Sequence, residues 1–136
     1  MRITSTFTGG VSFISDIRGH QITVDVPREL GGVDAGPMPP ELLATALGTC
    51  VGIYAAQFCV KHNISTEGLQ IHTDWTKVTD PTRIGSLAVT VELPAGVPAE
   101  KYGAFMKTVE QCMVHNTFHH LPDISINVAD LTLAGE

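Results

Sequence analysis

The sequence predicts an α+β fold in which antiparallel strands surround one long buried helix. Three observations carry this. Short stretches before residue 27 alternate polar and apolar residues; the run from Leu42 to Val60 holds no charged residue; and two further strand-like stretches precede an amphipathic run. Arg2 to Thr8, Val11 to Ile17 and His20 to Val26 form the first group, with Ile22, Val24 and Val26 alternating with Thr23 and Asp25. Gly9-Gly10 and Arg18-Gly19 punctuate them as tight turns, so the expectation is an antiparallel meander.

Pro27 to Pro37 reads as a loop, with breakers at Gly31, Gly32, Asp34 and Gly36. Pro39 and Pro40 then stand where a helix tolerates proline, in its entry and first turn, and Glu41 places a carboxylate near the positive end of the dipole. The uncharged run that follows is long enough to span a membrane. Thr45, Gly48, Thr49, Gly52 and Gln57 dilute its apolarity and no basic cluster flanks it, so the expectation is a core helix and no membrane. A helix apolar on all sides is most easily buried against a second subunit. Gly48 and Gly52, four apart, would permit close approach on one face, which suggests tight contact with another helix.

Gly68 to Val78 and Ile84 to Leu93 read as two strands joined by Thr79-Asp80-Pro81. Ala99 to His115 places apolar residues at Tyr102, Phe105, Met106, Val109, Cys112 and Met113, the spacing of an amphipathic helix. A short helical piece or turn is expected at Thr117 to His120, and Ile124, Ile126 and Val128 alternate as a final strand.

The 136 residues fit one domain, taken as 1–136. Eight Lys+Arg against 14 Asp+Glu give a net charge of −6, which argues against a nucleic-acid binder, since phosphate recognition relies on clustered basic side chains. With 16% charged and 43% apolar residues, little charge is available to cover a monomer's surface, and oligomerisation is expected. No signal-peptide pattern opens the chain, so a cytoplasmic location is the expectation. Cys50, Cys59 and Cys112 make an odd number, better read as reduced thiols than as disulfide staples.

Cys50 falls in mid-helix, where no helix N-terminus activates a thiol; by itself it reads as a small core residue rather than a reactive thiol. Cys59, nine residues on and turned by about 180°, faces away from Cys50 and reads as packing. Cys112, His115 and His119 form a C-x2-H-x3-H run, an incomplete zinc signature.

The run Pro40-Glu41-Leu42-Leu43-Ala44-Thr45-Ala46-Leu47-Gly48-Thr49-Cys50, followed by Cys112-Met113-Val114-His115-Asn116-Thr117, resembles the OsmC/Ohr family of thiol-dependent peroxidases. Pro27-Arg28-Glu29-Leu30-Gly31-Gly32 resembles the loop before that family's first helix, and order and spacing match over nearly the whole chain. The resemblance implies an OsmC-like fold, an intertwined homodimer with its sites at the interface. It implies that Cys50 attacks an organic hydroperoxide, that Cys112 resolves the product as a disulfide, and that an external dithiol reduces it, with no cofactor and no metal. Glu41 and His115 join them as candidate catalytic residues.

Four positions depart from the family pattern. Val11 stands after Thr8-Gly9-Gly10, where peroxidase members carry the arginine that pairs with the thiolate; Arg18 and Arg28 are the candidates to replace it. Glu41 lies nine residues before Cys50, where the family's glutamate lies ten before. Met113 replaces a common proline and His115 a common serine, and Val-His-Asn-Thr resembles a less characterised branch. His115 could act as a base, lower the thiol pKa as a cation, or simply cap a helix C-terminus. The other functional classes are a non-catalytic dimer binding a small apolar ligand at its interface, and a Cys/His metal-binding protein.

Overall fold

The computed structural model describes residues 1–129. Strands β1 (Thr4–Gly9), β2 (Ser12–Ile17) and β3 (His20–Val24) form an antiparallel meander in the order β1-β2-β3. The β2–β3 connection turns on Arg18 and Gly19, both with positive φ (54° and 87°), the geometry of a two-residue hairpin turn whose twist suits the strands. Phe7 stands opposite Phe13 with ring centroids 5.7 Å apart, yet both rings remain exposed. Among the described residues the meander makes at most slight contact with the helices and the second sheet: Ile14, Ile17, Ile22 and Val24 are half-buried, while Phe7, Val11 and Phe13 stay exposed.

Helix α1 (Pro39–Lys61) starts where its two prolines allow, and the Glu41 carboxylate accepts the Met38 N–H at 2.8 Å, closing the first turn. It lies on β4 (Gln70–Val78) and β5 (Arg83–Glu92), an antiparallel pair, and under α2 (Tyr102–Glu110) and α3 (Met113–His119). Leu47, Val51, Ala55 and Phe58 meet Phe105, Val109 and Cys112 in one core. By length and composition α1 could cross a membrane, but these contacts make it a core helix.

Four features bear on the expectations, and the last three correct them. First, within the single chain α1 is covered on one side only, which leaves the other for the second subunit; Leu43, Ile53 and Val60 remain exposed, Val60 at 73%. Second, Gly48 and Gly52 face β4 rather than another helix: a Cβ on Gly48 would lie 2.2 Å from Thr73 Oγ1, and one on Gly52 2.9 Å from Ile71 Cγ1. Their bareness lets helix and sheet close together.

Third, the helix expected over Ala99 to His115 is three pieces: a 3-10 turn (Ala99–Lys101), α2, and α3. Cys112 interrupts it with extended backbone (φ −55°, ψ 134°) and becomes the N-cap of α3, its sulfur accepting the His115 N–H at 3.4 Å. Fourth, no strand forms over Ile124 to Val128. That segment is irregular, with Ile124, Ile126 and Val128 at 80%, 90% and 75% exposure; alternation needs a neighbouring edge to pair with, and the described residues place none beside it.

Candidate functional site

The break between α2 and α3 is what brings the two motif cysteines together. Cys50 projects from the middle of α1 toward the start of α3, where Cys112 is wholly buried and feels the Cys50 sulfur as a neighbour. Burial and the Cys50 sulfur push the Cys112 thiol above the usual thiol range, outweighing the opposing pull of the His115 and Val114 backbone amides. Cys112 therefore keeps its proton and can donate it toward Cys50. Cys59, also wholly buried, lies elsewhere along α1 with its thiol pushed up by desolvation, which agrees with a packing role.

The other two candidates are engaged otherwise. The Glu41 carboxylate is spent on the Met38 amide, and nine residues of helix place it about 13 Å along the axis from Cys50. It lines a cleft between α1 and β4 with Thr45, Thr49 and Trp75. His115 reaches Cys112 through its backbone N–H. Its ring instead donates Nδ1–H to the Glu110 carbonyl at 2.9 Å and meets the His119 ring, with the Nε2 atoms 3.0 Å apart.

Val11 sits exposed in the β1–β2 turn, and Arg18 and Arg28 lie exposed at a turn and in the loop before α1. Among the described residues no three His, Cys, Asp or Glu side chains converge as a structural metal site requires, so the Cys112-His115-His119 run does not assemble into one.

Two features of this region were not read from the sequence. Asp25, only 2% exposed, folds the glycine-rich loop around its carboxylate, which accepts the N–H groups of Val26, Val33 and Ala35 at 2.8, 3.2 and 3.0 Å. Its signal was there: a lone acid at the end of an apolar alternation, just before Pro27 and a run of glycines. The second is a cleft of about 440 Å³ between α1, α2 and β5, walled by Val51, Val89, Phe105 and Met106 with His115 at one end.

The fold is an antiparallel α+β scaffold with one thiol, Cys50, on its long central helix and a second, Cys112, at a helix start beside it. The family model described as OsmC-like protein matches residues 31–127, and the chain belongs to that family. No curated protein matches the chain. Three solved structures share its fold. One, from Psychrobacter arcticus and described as an osmotic stress induced and detoxification response protein, is 19% identical with a TM-score of 0.76, covering 85% of each chain. An OsmC-like protein from Mycoplasma pneumoniae is 20% identical with a TM-score of 0.72, over 88% of this chain and 87% of the other. The organic hydroperoxide resistance protein OhrB of Bacillus subtilis is 17% identical with a TM-score of 0.62, over 88% and 90%.

Proposed function

We propose that the protein is a thiol peroxidase of organic hydroperoxides, working as a homodimer with Cys50 and Cys112 as its redox pair. The observation that carries this is the buried, proton-holding Cys112 thiol set against Cys50 on an OsmC-like scaffold. The Cys50 thiolate attacks the outer peroxide oxygen, the O–O bond breaks, and the alkoxide takes a proton and leaves as an alcohol. Cys50 is then a sulfenic acid. Cys112 attacks its sulfur, water departs, and a Cys50–Cys112 disulfide remains for an external dithiol to reduce.

Within this scheme Cys112 donates a hydrogen bond to Cys50, stabilising the thiolate in place of the arginine that Val11 replaces. Glu41 holds the start of α1, and His115 orients Cys112 through its backbone amide. A dimer supplies what the single chain lacks, a cover for the meander and for the open side of α1. Three free thiols suit a reducing compartment, and we assign the protein to the cytoplasm.

The test is consumption of cumene hydroperoxide with dithiothreitol as reductant. Wild type turns over and Cys50→Ser does not; Cys112→Ser, pre-reduced and then freed of dithiothreitol, consumes one equivalent of hydroperoxide and leaves Cys50 as a sulfenic acid that mass spectrometry locates. Oxidation confined to Cys59, or none at all, defeats the proposal. The apolar cleft beside α2 then favours the second reading, a dimer that binds a small apolar ligand without chemistry.

A further inference from the structure

The short helix α3 carries two histidine rings that the thiol chemistry leaves unused. His115 and His119 stand one turn apart on the same side, with Nε2 atoms 3.0 Å apart and ring centroids 4.5 Å apart at 78°. The contact of His115 Nδ1 with the Glu110 carbonyl fixes its tautomer: a carbonyl only accepts, so Nδ1 carries the proton and Nε2 presents a lone pair. Donation of the remote ring N–H to a backbone carbonyl is the arrangement that holds metal-ligating histidines in orientation. Beside the two rings, between α3 and the first part of β5, opens a cleft of about 290 Å³ bordered by Ser86 and Phe118, with room for water.

We infer that His115 and His119 form a two-histidine site for a divalent transition metal of borderline softness, Ni²⁺, Cu²⁺ or Zn²⁺, with water completing the coordination. Two nitrogens each about 2.0 Å from one metal stand about 2.8 Å apart at a right angle and about 3.3 Å apart at the tetrahedral angle. The observed 3.0 Å falls between these. With His115 Nε2 unprotonated, the His119 Nε2–H faces that lone pair; metal binding moves the His119 proton to Nδ1 through water, and a turn of the exposed His119 ring aims its freed Nε2 lone pair at the same point. Imidazole pairs select this class over Mg²⁺ and Ca²⁺, which take oxygen ligands. The site differs from a four-ligand structural zinc centre, because Cys112 is buried against Cys50 and contributes nothing.

The experiment is calorimetric titration of the untagged, reduced protein with NiCl₂, which does not itself oxidise thiols. One Ni²⁺ per protomer is expected, with affinity at least tenfold weaker in His119→Ala and in His115→Ala. His120→Ala is expected to match wild type, because that residue borders a different cleft with Tyr54 on the far side of α3. Cys50→Ser is also expected to match wild type. Absence of binding by the wild type, full affinity in His119→Ala, or loss of binding in Cys50→Ser each overturns the inference. His119 is exposed, so its truncation leaves the fold intact, and none of these outcomes depends on peroxidase turnover.

Discussion

Single side chains set the order around α1, and the most consequential is Asp25. Its carboxylate replaces water with three backbone N–H groups; those of Ala35 and Val26, with lesser help from Val33 and the Ser12 hydroxyl, hold it below the usual carboxylate range. Stability from such a group is fully present above the unfolded pKa near 3.8 and is lost as pH falls through the lower folded value. Urea denaturation between about pH 5 and pH 2.5 should show wild type losing stability in that window. Asp25→Asn should be weaker at neutral pH and flatter across the window. Identical slopes for the two proteins would mean the loop holds without the carboxylate. The sequence marks Asp25 only as a lone acid before Pro27 and the glycines; which amides it gathers is not legible there, because they lie up to ten residues away and are uncharged. Cys50 and Cys112 were legible as a pair through a motif, since nothing in either residue's own neighbourhood marks it as reactive.

Among the elements, those whose pattern has a local cause were the legible ones. The meander follows from alternation and two tight turns, and α1 from its prolines and its lack of charge. The α2–α3 break was not legible, because the helical spacing of Val109, Cys112 and Met113 runs across it without interruption. Cys112 leaves the helix to bury its side chain against α1, a tertiary demand that periodicity does not register. The contact of α1 with β4 gives a test. Gly48→Ala gains helix propensity of about 1 kcal/mol yet drives a methyl into Thr73, and overpacking of this kind costs about 1–3 kcal/mol. The variant should be destabilised, and Thr73→Ala should restore most of the loss in the double mutant by removing the clashing hydroxyl. Additive losses would show that the helix and strand do not meet at this point.

At the scale of the whole molecule, surface area is the telling quantity. The chain exposes 10294 Å², whereas a compact monomer of 14.5 kDa exposes about 6,900 Å². The excess is roughly 3,400 Å² per chain, part of it on the irregular segment after α3; obligate dimers bury about 1,000–2,500 Å² per partner, so the excess leaves room for such an interface. Sedimentation at micromolar concentration should give a dimer and no folded monomer; a stable, well-folded monomer would refute the homodimer. Dilution with urea should lower the midpoint, since unfolding is then linked to dissociation. The absent strand at Ile124 to Val128 belongs to this scale as well. The sequence showed a segment able to pair, and pairing needs an edge that one chain does not provide.

The uncovered meander bears on the order of manufacture. Strands β1 to β3 leave the ribosome before α1, yet among the described residues neither the helices nor the second sheet is laid against them, even after α3 is complete. In a dimer they must wait for another finished chain, holding Phe7 and Phe13 in water meanwhile. For such a dimer, two chains growing on neighbouring ribosomes of one message would shorten that wait, and pairing during synthesis would protect the newborn protein from aggregation.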